Sequence, residues 1–113
     1  QTLMSLAAMA AAEADFPSRE ICHYYTVARK YAKLELQREW DSPYREAQQE
    51  NLGCVSLGLA EELFLMGKFD EAANVIDDTL PLLNNSISWM PSLTRCRSKC
   101  VEKLDDHKRK EGK

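Results

Sequence analysis

The sequence has few residues that interrupt regular structure, because only four glycines and four prolines occur among its 113 residues. A β-rich chain needs many tight turns, so this scarcity argues against an all-β fold. The sequence also lacks an apolar run near the ~18 residues that a membrane-spanning helix requires, so we expect no membrane contact. Hydrophobic residues make up 44% of the chain and charged residues 29%, which argues against a disordered or fibrous protein.

No strong excess of charge of either sign is present, because 15 Lys and Arg face 18 Asp and Glu, a formal net charge of −3. This balance argues against a dedicated nucleic-acid-binding protein. The charges are unevenly distributed, however. Residues 1–94 contain 7 basic and 14 acidic side chains, whereas residues 95–113 contain 8 basic and 4 acidic ones. Such a basic end is typical of a segment that contacts a partner, and equally of a solvated helix end.

The cysteines do not form the dense pattern of a small secreted protein that is held together by disulfides. No secretory signal is recognisable at the start of the chain, so we expect an intracellular protein, cytoplasmic or nuclear. Because the sequence begins at Gln1 rather than Met, we also expect it to be a domain excised from a longer protein. The four cysteines are Cys22, Cys54, Cys96 and Cys100.

The sequence predicts no metal site, no cofactor and no enzymatic activity. Cys96 and Cys100 lie four residues apart, with His107 further along the same predicted helix, but Leu93 and Leu104 continue the same spacing. An ordinary apolar stripe explains this pattern better than zinc, whose structural sites usually contain closely spaced cysteine pairs. No nucleophile–base pair, glycine-rich phosphate loop or paired-carboxylate motif occurs at a suggestive spacing.

Apolar residues recur at intervals of three and four, which predicts an all-α fold. Breaks fall at Pro17, Pro43 and Gly67, and Ser18 and Ser42 are favourable residues for capping the start of a helix. The five predicted helices cover residues 2–15, 19–39, 43–66, 70–83 and 88–106.

One segment, residues 53–86, combines an apolar helix, a turn with glycine and an aromatic residue, and a second helix with alanine in its first turn. Small residues occur on both sides of the turn, at spacings that would bring them together where two helices cross. The residues that carry this pattern are Leu59 and Ala60, Leu63, Gly67 with Phe69, and Ala72.

This pattern resembles the tetratricopeptide repeat, a helical hairpin of about 34 residues. The sequence departs from the family pattern at Thr79, where the family has alanine, and near Asn84, where the closing proline is missing. The resemblance implies that Ala60 and Ala72 lie at a close helix crossing that tolerates no larger side chain. It also implies that Phe69 packs beneath the turn.

The resulting prediction is a single domain, 1–107, built of antiparallel helical hairpins. An irregular hairpin, 2–40, precedes the tetratricopeptide-like hairpin, 43–83. A final helix, 88–107, is expected to cap the last hairpin, because each repeat leaves one face unburied. The basic tail, 108–113, is expected to fray.

The predicted function is that of a non-catalytic adaptor or scaffold domain that binds a peptide or helix of another protein. Apolar residues on one face of the third predicted helix are expected to line the binding groove, and aromatic residues near the helix ends are expected to anchor the partner. The candidate binding residues are Leu52, Val55, Leu59, Tyr24, Tyr25, Trp40 and Trp89.

Two alternatives belong to other classes of function. The first predicted helix carries an apolar stripe of Leu3, Leu6, Met9 and Ala10, through which the chain could form a homo-oligomer. The basic residues of 95–113 could instead make weak, salt-dependent contacts with nucleic acid.

Overall fold

The computed structural model describes residues 18–38, 42–84 and 87–111. All regular structure in these ranges is helical, which confirms the predicted all-α class for the described part of the chain. The predicted helix 2–15 and its stripe of Leu3, Leu6, Met9 and Ala10 lie outside the described residues. The four α-helices are α1 (Ser18–Leu36), α2 (Ser42–Leu65), α3 (Phe69–Thr79) and α4 (Met90–Glu111).

The turn between α2 and α3 forms as the sequence predicts, because Gly67 adopts a φ of +79°. This left-handed conformation suits glycine, which has no Cβ to clash with the backbone. The Gly67 amide donates to the carbonyl of Phe64 (3.0 Å), and the Lys68 amide donates to the carbonyl of Leu63 (2.9 Å). These two bonds form a Schellman motif, which satisfies carbonyls at the end of α2 and reverses the chain.

Helix α3 ends at Thr79, earlier than the predicted helix 70–83, and continues as a short 3₁₀ helix, Leu80–Leu82. Pro81 accounts for the difference, because proline has no amide hydrogen to continue an α-helical ladder. The chain then turns back towards α2. There, the Gln49 side chain accepts a hydrogen bond from the Asn84 amide (3.1 Å), and Glu50 accepts one from the Ser88 amide (2.8 Å).

Helix α4 begins at Met90 and continues to Glu111, beyond the predicted end at residue 106. Residues 108–111 therefore belong to α4, so the helix extends beyond the end expected from the sequence. Lys108 and Arg109 favour this extension because positive charges near a helix C-terminus interact well with the negative end of its dipole.

Helix α2 lies at the centre of the described fold and contacts α1, α3 and α4, while α3 also contacts α4. The core is rich in small residues, since Ala28 and Ala32 of α1, Ala60 of α2 and Ala72 of α3 are completely buried. Small side chains allow helix axes to approach closely. The packing of these helices therefore depends on the small size of the alanine side chains between them.

A polar cluster joins three of the helices beside this apolar core. The guanidinium of Arg29 in α1 donates hydrogen bonds to the Ser56 hydroxyl of α2 (3.0 Å) and the Thr79 hydroxyl of α3 (3.0 Å). It also lies 2.7 Å from the Asp78 carboxylate, which Lys33 contacts at the same distance. Hydrogen bonds from Lys33 and Arg29, together with their positive charges, lower the pKa of Asp78 below its ordinary value.

The lowered pKa of Asp78 makes the free energy of unfolding depend on pH under acidic conditions. Because the folded state holds Asp78 ionised more strongly than the unfolded state does, its contribution is present above the unfolded-state pKa of about 3.9. The contribution is lost as the pH falls through the lower folded-state pKa. We therefore expect Asp78→Asn to lose less stability than the wild type between about pH 5 and pH 3 in urea unfolding. Equal losses in the two proteins would contradict the prediction.

Candidate interaction groove

Three of the predicted binding residues lie in the core rather than on a surface. Leu52, Val55 and Leu59 are 0%, 1% and 6% exposed. They pack inside the four-helix arrangement, so the expected groove is not lined by these residues. Their three-to-four spacing correctly indicated a buried face of α2. This face is buried by other helices of the same chain and not by a partner.

Two predicted aromatic anchors pack against glycines of α2. A methyl group at Gly58 would lie 2.5 Å from the Cε1 and Cζ atoms of the Tyr25 ring, so this ring lies directly over the helix backbone. Trp89 packs in the same way beside Gly53, where an added Cβ would lie 3.1 Å from the Trp89 Cβ. Both aromatic side chains are half-buried and join helices of this chain.

The other two aromatic candidates have no place in a described groove. Tyr24 is half-buried, and its ring contacts that of His23 edge to face, with centroids 5.9 Å apart. Trp40 lies outside the described residues.

An open groove runs between α2 and α4, on a part of the surface that the sequence did not single out. Its volume is about 280 Å³. It combines an apolar floor with charged residues on both sides. The lining residues are Leu57, Glu61, Phe64 and Leu65 of α2, and Ser92, Arg95, Cys96 and Lys99 of α4.

The floor of the groove is an apolar surface that is open to solvent on one side. Leu57 and Cys96 are buried at its base, while Leu65 is 73% exposed. The ring of Phe64 packs edge to face against Phe69, with centroids 5.0 Å apart and planes at 66°. Phe69 lies directly after the turn, so the turn that closes α2 also holds one side of the groove.

Cys96 contributes to the floor as an apolar group rather than as a reactive thiol. Burial, together with the neighbouring Cys100 and Glu61, raises the pKa of the Cys96 thiol to about 11. Since the thiolate is the reactive form, a protonated and buried thiol behaves as a small hydrophobic side chain. All four cysteines are free.

The rim of the groove carries more positive than negative charge. Arg95 and Lys99 are exposed on α4, and Glu61 is exposed on α2. Within residues 18–38, 42–84 and 87–111, no carboxylate lies within 4 Å of either cation. Arg97, on another side of the same helix, forms an ion pair with Asp77 of α3.

A second depression, of about 510 Å³, lies where α1, α2 and the 3₁₀ helix meet. Two of the three charged residues in its lining pair with each other, because the amino group of Lys33 lies 2.7 Å from Asp78, while Arg45 is the third. The groove between α2 and α4 therefore offers the more available set of charges.

The part of the chain that the structure describes contains no cluster of three or more potential metal-ligating residues. It also contains no helix that is long and apolar enough to cross a membrane. Comparison with protein-family models, curated proteins and solved structures gave no match. The groove is thus the feature from which a function can be argued.

The sequence does contain a signal for the groove, because α2 has apolar residues outside the face formed by Leu52 and Val55. Apolar residues occur on more than one side of α2, where Leu57 and Phe64 to Leu65 lie on a different side from Leu52 and Val55. A helix with apolar side chains on more than one side needs cover on more than one side. Three neighbouring helices cover most of α2, and the remaining strip forms the floor of the groove.

Proposed function

We propose that this chain is a non-catalytic protein-interaction domain whose groove between α2 and α4 binds a peptide or helix of another protein. The observation that carries the proposal is the exposed apolar strip at Phe64 and Leu65, bordered by charged side chains. Binding sites on proteins commonly combine an apolar centre with a polar rim. Leu65, 73% exposed at the end of a central helix, contributes little to the core and is available to a partner.

The contacts between α1 and α2 support the proposed helical-hairpin architecture. The Cys22 thiol lies 3.7 Å from the Met66 sulfur, while Arg29 bonds to Ser56, so rising numbers in α1 meet falling numbers in α2. This order favours an antiparallel pair. A third helix, α3, then packs against α2 after a short turn, as in a tetratricopeptide-like array.

The size of the groove limits the strength of the interaction. A groove of about 280 Å³ has room for roughly two side chains, whereas tight, permanent complexes bury an extended surface with many side chains on each partner. We therefore expect reversible binding with a dissociation constant on the order of micromolar, and a larger affinity only where neighbouring repeats or a longer partner segment add contacts.

The test is a substitution at Leu65, because a change there alters the groove without altering the core. We expect Leu65→Asp to abolish binding of a partner segment, since a carboxylate would be placed in the apolar floor. Leu34→Asp on α1 is the matched control, because Leu34 is 48% exposed and lies outside the groove. Each protein would be used as bait, and the recovered partner's segment would be measured by titration with a synthetic peptide.

The proposal requires a partner that binds the wild type and Leu34→Asp equally but does not bind Leu65→Asp. Circular dichroism and urea unfolding should show that both variants remain folded and lose similar stability, about 1 kcal/mol, because each places a carboxylate in the last turn of a helix. If a directly binding partner is retained by Leu65→Asp, the groove is not its site, and the proposal fails.

A further inference from the structure

We infer that the segment bound in the groove between α2 and α4 is acidic and carries one large apolar side chain with carboxylates beside it. The inference rests on the proposed function, because it specifies the partner of that same groove.

The apolar requirement follows from the floor. Phe64 and Leu65 leave carbon atoms exposed to water, and Cys96 adds a protonated thiol at the base. A large aliphatic or aromatic side chain would remove this surface from water, which stabilises the complex in proportion to the area buried. A wholly polar segment would gain nothing from this contact.

The acidic requirement follows from the arrangement of cations along α4. Arg95 and Lys99 are four residues apart and therefore neighbours on one face of the helix, where like charges repel each other. Further along the same face, the exposed Lys103 is accompanied by Glu102 and Asp106, so Arg95 and Lys99 are the cations that line the groove. Carboxylates of a bound segment would relieve this repulsion and form ion pairs, whereas a basic segment would increase it.

Other occupants fit the groove less well. A second copy that docked groove to groove would offer only Glu61 to the two cations Arg95 and Lys99, so half of the positive charge would have no partner in the interface. A nucleic acid could contact the cations through its phosphates, but it would leave the apolar floor uncovered. An acidic polypeptide satisfies both the floor and the cations.

The experiment selects peptides without assuming a sequence. A phage-displayed library of random peptides would be selected on the immobilised wild-type chain, and a synthetic peptide of the consensus sequence would be titrated by fluorescence anisotropy. We expect the selected sequences to be enriched in Asp and Glu around one large apolar residue. We also expect weaker binding as the salt concentration rises from about 50 mM to about 500 mM, because salt screens exposed charges.

Charge-reversed variants test whether these particular cations attract the peptide. The double variant Arg95→Glu, Lys99→Glu is expected to bind the consensus peptide about tenfold or more weakly, since two attractions become repulsions. The double variant Arg19→Glu, Lys30→Glu changes the net charge equally, at exposed positions on α1. It is expected to bind like the wild type. Glu61→Gln is expected to bind at least as tightly as the wild type.

The possible outcomes separate the inference from the proposed function. Neutral or basic consensus sequences that still require Leu65 would overturn the inference and leave the proposed function standing. If no sequence is retained above a blank surface, both fail. An equal loss of binding in the two double variants would indicate non-specific attraction and overturn the inference. Tighter binding of a single-stranded RNA, lost on reversal of Arg95 and Lys99, would also overturn it.

Discussion

Replacement of Arg29 by methionine is expected to lower the free energy of unfolding by about 2–3 kcal/mol, because buried hydrogen bonds lose their donor. The Arg29 side chain is only 14% exposed, and its bonding partners Ser56 and Thr79 are completely buried. The ion pair with Asp78 contributes less, because that carboxylate is 56% exposed and well solvated. Urea unfolding followed by circular dichroism measures the change.

Two comparisons identify the cause of this loss. Lys30→Met makes a similar substitution at an exposed neighbouring position of α1, and we expect a change within about 0.5 kcal/mol. Ser56→Ala in the Arg29→Met background should restore part of the stability, because it removes a hydroxyl that has lost its partner. If Arg29→Met is as stable as Lys30→Met, the cluster does not stabilise the packing of α1 on α2 and α3.

Substitution of Ala60 by phenylalanine is expected to have the largest effect, a loss of about 3 kcal/mol or more, which would unfold a domain of this size or leave it molten. Ala60 is completely buried in α2, and Ala72 of α3 is equally buried. An aromatic ring at this position can be accommodated only if the helices separate. Thermal unfolding and the dispersion of an NMR amide spectrum would report the loss of fixed packing.

The matched control is Ala47→Phe, which makes the same change at an exposed position of the same helix. The intrinsic difference in helix propensity is therefore common to both variants, and only the packing differs. We expect Ala47→Phe to remain folded, with a change below about 1 kcal/mol. A cooperative, well-folded Ala60→Phe protein would contradict the close packing of α2.

Much of this helical structure could be predicted from the sequence, because its signals are local. The glycine turn at Gly67 depends on one residue's backbone freedom, and the ends of α2 and α3 depend on nearby residues. The errors occurred where local signals compete: Pro81 shortened α3, and helix-favouring charges near Lys108 extended α4. The end of α4 is decided by a few tenths of a kcal/mol per residue, which residue spacing does not resolve. Pro81, in contrast, disfavours a helix interior by about 3 kcal/mol and is a strong signal in the sequence.

The groove could not be located in the same way, because its position depends on which neighbours cover each side of α2. Spacing alone indicated that Leu52, Val55 and Leu59 share a face, and this face is covered by the chain's own helices. The polar cluster around Arg29 could not be predicted from spacing either, because it depends on which helices pack against each other. Asp77 and Asp78 are adjacent in the sequence and both exposed, and nothing local indicates that Asp77 bonds to Arg97 of α4 and Asp78 to Arg29 of α1.

That adjacent acidic pair links α3 to both of the helices beside it. Successive side chains on an α-helix point about 100° apart, so Asp77 and Asp78 reach two different neighbours from almost the same height. Asp77 pairs with Arg97 of α4 and Asp78 with Arg29 of α1. Since Arg97 belongs to the helix that carries Arg95 and Lys99, α3 contacts one wall of the groove although it contributes no residue to the groove's lining.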